Sequence, residues 1–117
     1  MTPNLLNSLA LQFLGASIAA AAATDADSVI IDMAGYEGVF VMAHVTDSLA
    51  TGVATLTAQQ SATNVGVDMA DIAGATASLT SVVDDDLNGQ MIAIDVHCPR
   101  ERYVRFNRSS SVANVAF

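Results

Sequence analysis

The residues that most resemble a site for chemistry occupy positions 84–89, with the sequence Asp-Asp-Asp-Leu-Asn-Gly. Alternating hard oxygen donors followed by glycine match the opening of a calcium-binding loop, whose twelfth position here is Asp95. The flanking segments read as strands instead of paired helices, and Asn-Gly is a strong signal for a tight turn. The sequence therefore favours a polar turn without a metal. A calcium site made by Asp84, Asp86, Asn88 and Asp95 is the less favoured alternative.

Catalytic chemistry has few candidate residues. The histidines are His44 and His97, and the single thiol is Cys98. Nucleophilic or acid–base catalysis needs a nucleophile with a base in reach, and no motif here supplies that pair. We expect a protein that is not an enzyme and has no cofactor. His44 is interpreted as a strand-end residue and Cys98 as a small buried hydrophobe.

All the basic side chains lie in one short segment, because the chain has four arginines and no lysine. In an extended strand, Val104 and Phe106 share a face that we expect to be the core face, so Tyr103 and Arg105 point outward. Arginine and tyrosine are enriched at protein interfaces, although these arginines can equally pair with the chain's many aspartates. Both interpretations stay open. The candidate interface residues are Arg100, Arg102, Tyr103, Arg105 and Arg108, with Leu9 and Phe13.

The overall charge limits the classes of partner. Twelve acidic residues against four basic ones give a formal net charge of −8, which argues against nucleic acid and against an anionic membrane surface. One cysteine excludes an intramolecular disulfide. No basic region precedes the apolar N-terminal stretch, so a signal peptide is not predicted.

Short apolar runs separated by turn residues predict an all-β fold: a single-domain β-sandwich or jelly-roll-like domain, or a small barrel, with an N-terminal arm. We divide the chain into an arm, residues 1–14, and a β-sandwich domain, residues 15–117. The arm either docks on a neighbouring subunit or covers this domain's own core. The predicted strands are Ser17–Ala23, Val29–Asp32, Val39–Val45, Val53–Gln60, Thr76–Val83, Met91–His97, Glu101–Asn107 and Val112–Phe117.

Three local predictions accompany these strands. Thr24–Ser28 is expected to be a turn because Asp and Ser favour turns. Asp68–Gly74 is expected to form a helical turn that ends at a glycine cap. Val39–Val45 is apolar on both faces, so we expect it to be a central strand or to pack against another subunit.

Four segments of the sequence form a recognisable pattern: Ile31-Asp32-Met33 with Gly35-Tyr36-Glu37-Gly38-Val39-x-Val41, Ala58-Gln59-Gln60, Asp68-Met69-Ala70-Asp71-Ile72-x-Gly74, and Ile94-Asp95-Val96 with Pro99-Arg100-Glu101-Arg102-Tyr103-Val104-Arg105. Together they resemble a family of small virion proteins of tailed phages, the head decoration or cement proteins encoded beside the major capsid protein. The resemblance covers about residues 17–112, and the run Pro99–Arg105 is its most specific part. The sequence departs from the family at 109–114, where a Ser-rich stretch replaces a Gly-Thr-Asn turn.

The resemblance implies a structural protein on the capsid surface of a virion, made in the host cytoplasm. Its implied partners are the major capsid protein and copies of itself in a homo-oligomer, with no nucleic acid and no membrane. Two alternatives remain: a neck or tail component of the virion, and a calcium-dependent module that binds carbohydrate or another surface.

Overall fold

The computed structural model describes residues 14–15, 25–48, 50–84 and 86–111. These residues form seven strands and one short 3-10 turn, Gly66–Asp68. No helix within this part of the chain has the length and apolar character needed to cross a membrane. The strands are β1 (Asp25–Asp27), β2 (Ile31–Asp32), β3 (Gly38–His44), β4 (Val53–Ser61), β5 (Ala70–Thr80), β6 (Met91–His97) and β7 (Tyr103–Ser110).

Five strands make an antiparallel large sheet in the order β1-β7-β4-β5, with β2 also paired to β7. Its longest continuous ladder joins β4 to β7, from Ala54 opposite Ser110 to Ser61 opposite Tyr103. Strand β7 has neighbours along both edges, because β4 lies on one side and β1 and β2 lie on the other. The arginine-containing strand is therefore an interior strand of this sheet.

The small sheet consists of β3 and β6, paired from Gly38 opposite His97 to His44 opposite Met91. Alternate residues of each sheet turn inward, and their burial between the sheets supplies the main favourable free energy of folding. The predicted all-β class is confirmed, and the two-sheet arrangement is consistent with a sandwich and not with a closed barrel. The core contains Met33, Val41, Ala43, Val45, Ala54, Leu56, Ala58, Leu87, Ile92, Ile94, Val96, Val104 and Phe106.

Most predicted strands are confirmed with shifted ends, and the largest difference is at β5, which begins at Ala70 where Thr76 was predicted. The observed β6 has the predicted bounds, and β2, β3, β4, β5 and β7 overlap their predicted segments. The predicted strands Ser17–Ala23 and Val112–Phe117 lie outside the described residues. The arm, including Leu9 and Phe13, also lies outside them except for Leu14.

The predicted turn at Thr24–Ser28 is wrong, because Asp25–Asp27 forms β1. This strand pairs with β7, placing Asp27 opposite Asn107 and Asp25 opposite Ser109. The Nδ2 group of Asn107 donates to both carboxylates, at 2.7 Å to Asp25 and 2.9 Å to Asp27. These cross-strand hydrogen bonds outweigh the turn preference of aspartate.

The predicted helical turn at Asp68–Gly74 is also wrong. The 3-10 turn lies earlier, and Ala70 begins the long strand β5. The register between β4 and β5 shifts between Thr57 and Gln59. Gly74, at φ +81°, lies in the irregular part of β5 opposite this shift. Glycine adopts this left-handed backbone without the steric cost of a side chain, so it marks a strand irregularity here instead of a helix cap.

Strand β3 is not central within the described structure. It lies at the edge of the small sheet and pairs with β6 alone. Val41 and Ala43 face the core, whereas Phe40 and Met42 point to the outer surface and are 61% and 58% exposed. The two apolar faces of this strand are therefore one core face and one exposed face.

Phe106 and Phe40 provide a test of which side chains face the core and which face solvent. Phe106 is 1% exposed and Phe40 is 61% exposed. Phe106→Ala should lower the free energy of unfolding by about 3–5 kcal/mol, because it removes buried contacts and leaves a cavity. Phe40→Ala, the matched control, should change it by less than about 1 kcal/mol. Urea denaturation of both variants measures the difference, and equal losses would contradict the placement of β7 in the core.

Candidate interface on the outer face of the large sheet

Strand β7 divides its side chains as the sequence predicts. Val104 and Phe106 are buried at 0% and 1% exposure. Arg105 and Asn107 lie on the opposite, outer face, where they contact polar residues of neighbouring strands. The predicted core face and outward face of this segment are confirmed.

Arg105 joins three strands through its guanidinium. Its Nε donates to Gln59 Oε1 at 2.6 Å, and its Nη1 lies 3.1 Å from Asp27 Oδ2. The Nε2 group of Gln59 donates in turn to Asp71 Oδ1 at 2.8 Å. Gln59 stands directly opposite both Arg105 and Asp71 in the ladders, so the sheet register aligns the three side chains. Only 16% of the Arg105 side chain is exposed.

These contacts connect with those of Asn107 and form what we call the outer network: Asp71, Gln59, Arg105, Asp27, Asn107 and Asp25. It crosses β5, β4, β7 and β1 in turn. Charge-assisted hydrogen bonds of this kind fix side-chain geometry more firmly than single neutral contacts. The outer network therefore gives the large sheet an ordered polar surface.

Arg102 makes a second ion pair at the end of the large sheet. Its Nε and Nη2 donate to the two carboxylate oxygens of Asp32, each at 2.8 Å. This bidentate contact holds the pKa of Asp32 down at about 2, and the backbone N–H of Ala34 contributes to the shift. The carboxylate also raises the pKa of Arg102. The guanidinium carbon lies 5.3 Å from the centre of the Tyr103 ring, within cation–π range.

Arg100 differs from these two because its side chain lies on an exposed turn. The turn is held through the backbone, since the N–H groups of Arg100 and Glu101 donate to Gln60 Oε1 at 3.1 and 3.4 Å. The two ion pairs found among the described residues belong to Arg102 and Arg105. The Arg100 guanidinium therefore faces solvent, while the hydrogen bonds to Gln60 hold the backbone of the turn in place.

Arg108 points toward the other side of β7. It lines a cleft between the two sheets together with Phe106 and residues of β3. Partial burial lowers its pKa. The four arginines thus occupy four environments: Arg100 a solvent-exposed turn, Arg102 an ion pair at the end of the large sheet, Arg105 the outer face, and Arg108 the cleft.

Cys98 is exposed, so the prediction of a buried cysteine is wrong. It follows the end of β6, where the backbone reverses direction with φ +51°. Its N–H donates to the carbonyl of Glu37 at 2.6 Å, which holds the reversal in place. The side chain leaves the core because the last inward position of β6 is Val96.

Asp84 and Asp86 of the 84–89 loop accept hydrogen bonds from groups of the protein itself. Asp86 accepts hydrogen bonds from the Ser81 hydroxyl at 2.6 Å and the Val82 N–H at 2.8 Å, and these lower its pKa. Asp84 accepts from the Ala50 N–H at 2.8 Å. The loop joins β5 of the large sheet to β6 of the small sheet, so it is not a hairpin turn despite its Asn-Gly pair.

The fourth proposed calcium ligand lies away from this loop. Asp95 is on the exposed outer face of β6, opposite Phe40, about 13 Å along the strand from its start at Met91, at about 3.3 Å per residue. His44 and His97 stand at opposite ends of the small sheet. Within the described ranges, no group of three or more His, Cys, Asp or Glu residues gathers in a geometry suited to a metal.

Sequence reasoning missed the central role of Gln59 in the outer network. The available signal was its position: a polar side chain on the outward face of a strand whose alternate residues are apolar. No family model, curated protein or solved structure matches the chain. The interpretation of this face therefore rests on its own geometry and on the motifs of the sequence.

The Asp32–Arg102 pair makes a prediction about pH. Because the folded-state pKa of Asp32 is about 2, below the usual value of about 3.9, the pair stabilises the fold above about pH 4, and this contribution is lost as the pH falls toward 2. NMR titration of the carboxyl should show the low pKa, and Arg102→Gln should raise it toward the usual value. Arg105→Gln, the control, should leave the pKa of Asp32 unchanged. An Asp32 pKa near 4 in the unmodified protein would contradict the pair.

Proposed function

We propose that this chain is a structural, non-enzymatic protein of a tailed-phage virion that binds the outer surface of the head and stabilises contacts between capsomers. Its partners in this proposal are the major capsid protein and copies of itself. The proposal combines the sequence resemblance with the arrangement of the residues that carry it.

The observation that carries the proposal is that all four resembling segments meet in the fold. Asp32 of the first segment binds Arg102 of the fourth, and Gln59 of the second binds Arg105 of the fourth. Gln59 also binds Asp71 of the third segment. Residues separated by as many as 70 positions in the sequence thus form direct contacts. Contacts between dispersed segments are expected when the segments belong to one shared fold. The contacts therefore support reading the four segments as a single motif.

The arginines take different roles in this proposal. Arg102 and Arg105 have acidic partners within the chain and stabilise the sheet that presents the surface. Arg100 projects from an exposed turn whose backbone is fixed by Gln60, so we assign it to the contact with the capsid. A preorganised backbone lowers the entropy lost when a side chain is immobilised at an interface.

In the proposed mechanism, the protein reinforces the head mechanically and carries out no chemical reaction. Each copy buries surface across a joint between capsomers, and many copies on a symmetric lattice gain avidity from repeated weak contacts. The net charge of −8 keeps the solvent-facing remainder soluble and disfavours non-specific binding to the packaged nucleic acid. In this arrangement the exposed Arg100 side chain is a positive charge on an acidic molecule and contacts the partner.

Copy number separates head decoration from a neck or tail role. Quantitative mass spectrometry of virions whose genome encodes this chain should find it in hundreds of copies per particle, because a decoration protein follows the capsid lattice. The major capsid protein in the same sample provides the internal standard. Six or twelve copies per particle would contradict decoration and favour a connector or tail component.

The assignment of Arg100 is tested by removal of its charge. Arg100→Gln, which lowers the net charge by one, should weaken binding to undecorated heads by about 1 kcal/mol or more, roughly fivefold in Kd, without changing the midpoint of urea unfolding. His44→Glu, at the far end of the small sheet, adds negative charge elsewhere and should leave binding within twofold, a change of about 0.4 kcal/mol. Equal weakening by both variants would show an effect of overall charge and contradict a contact at Arg100.

A further inference from the structure

Asn88 and Gly89 can undergo a reaction that the proposed function does not use. Of the six asparagines in the sequence, Asn88 is the one that a glycine follows. Glycine has no side chain to hinder its backbone nitrogen, so in such a pair this nitrogen can attack the amide carbon of the asparagine side chain. Both residues are exposed, and water can reach them. The pair is therefore a candidate for deamidation.

Deamidation takes place in two steps. The Gly89 nitrogen loses its proton to solvent and forms a bond to Cγ of Asn88, while the bond from Cγ to the side-chain nitrogen breaks and ammonia leaves with a proton from water. The product is a five-membered succinimide ring. Water then opens the ring at either of its two carbonyl carbons, which leaves aspartate or isoaspartate at position 88. Water is the co-reactant, and nothing is oxidised or reduced.

The turn that contains this pair has a defined geometry. The N–H of Gln90 donates to the carbonyl of Leu87 at 3.0 Å, and Gly89 has φ +82°. Asn88 is not among the described non-glycine residues that have a positive φ, so its φ is negative. These features define a type II turn with Asn88 and Gly89 as its two central residues. The first central residue of such a turn has a ψ of about +120°.

This ψ angle keeps the nucleophile away from its target. In an L residue with ψ of about +120°, Cβ and the following backbone nitrogen lie about 120° apart around the Cα–C bond. A five-membered ring requires these two atoms to be nearly eclipsed. Attack of the Gly89 nitrogen on Cγ of Asn88 therefore requires a large rotation of ψ, and the turn must open before the reacting atoms can meet.

Three hydrogen bonds oppose this rotation. The Gly89 N–H donates to the Val45 carbonyl at 3.0 Å, so the nucleophilic nitrogen is itself engaged. The Ser48 hydroxyl accepts a hydrogen bond from the Leu87 N–H at 3.2 Å and donates to Asn88 Oδ1 at 3.4 Å. Leu87 and Ser48 are both buried, which anchors the turn in the core. Opening the turn breaks these contacts.

We propose that Asn88 is a deamidation site that the folded turn keeps unreactive, so that the reaction proceeds through local opening of the turn. Isoaspartate lengthens the main chain between Leu87 and Gly89 by one carbon, which displaces the Gly89 N–H from the Val45 carbonyl. The modified turn is then held less firmly at the end of the small sheet. This inference goes beyond the proposed function and does not depend on it, since the reaction requires the isolated chain and water alone.

Peptide mapping by mass spectrometry, with asparagine, aspartate and isoaspartate at position 88 separated by chromatography, measures the reaction. In guanidinium chloride, at the same pH and temperature, Asn88 should deamidate at least about tenfold faster than in the folded chain, because unfolding releases the turn. Hydrogen exchange of the Gly89 amide measures turn opening independently. The slowing of deamidation by folding should equal or exceed the protection factor of this amide, since both processes require release of the nitrogen from Val45.

A pair of serine variants tests the contacts of the turn. Ser48→Ala should accelerate deamidation of the folded chain by about fivefold, because it removes the hydroxyl that bonds Leu87 and Asn88. Ser61→Ala is the matched control, since Ser61 is also a buried serine whose hydroxyl accepts from a backbone N–H, that of Thr63. Ser61 lies in β4 of the large sheet, and its replacement should leave the rate within about twofold.

Four results would contradict the proposal. Equal rates in the folded and unfolded chains would show that the turn does not protect Asn88, and an unreactive Asn88 in guanidinium chloride would show that it is not a site. A slowing smaller than the Gly89 protection factor would place the reaction in the closed turn. An unchanged rate in Ser48→Ala, or equal acceleration by Ser61→Ala, would show that the contacts of the turn do not control the reaction. If Ser48→Ala fails to fold, the comparison with the Gly89 protection factor in the unmodified chain decides.

Discussion

The fold depends most on the position of β7, an interior strand that uses both of its faces and both of its edges. Val104 and Phe106 bury the inner face, while Arg105 and Asn107 build the outer network. Its edges pair with β4 on one side and with β1 and β2 on the other. A shift of register by one residue would place Arg105 and Asn107 in the core and Val104 and Phe106 in solvent. The penalty for burying unpaired charge makes this register strongly specified.

Strands with a clear period of two were predictable from the sequence. The alternation in Met91–His97 gave β6 its observed bounds, and Val104 and Phe106 indicated the core face of β7. The predictions failed where local composition competes with long-range pairing. Asp25–Asp27 has a turn-like composition but is held as β1 by Asn107, 80 residues or more along the chain. The apolar character of β3 likewise does not reveal whether a neighbouring strand lies beside it.

The sequence predicts which way the side chains of the candidate site point, but it does not predict which residues they contact. Alternation alone indicates that Arg105 points outward. Its partners Gln59 and Asp27 depend on which strands flank β7 and in what register, and no local pattern contains that information. The resemblance contributed here, because its dispersed segments include Gln59, Asp71 and Arg105 before any pairing is known. Their contacts in the fold give the motif a physical basis as a polar network across the large sheet.

The outer network on the large sheet connects the fold with the proposed role. Arg102 and Arg105 pair with acidic residues of the same chain, and in our proposal Arg100, on an exposed turn, is the basic contact with the capsid. The most direct measurement is a cryo-electron microscopy reconstruction of the virion whose genome encodes this chain. Our account predicts density for the β-sandwich at repeated positions on the outer head surface, with the turn that carries Arg100 against the major capsid protein. Density confined to the neck or tail, or a head surface without this domain, would contradict the account.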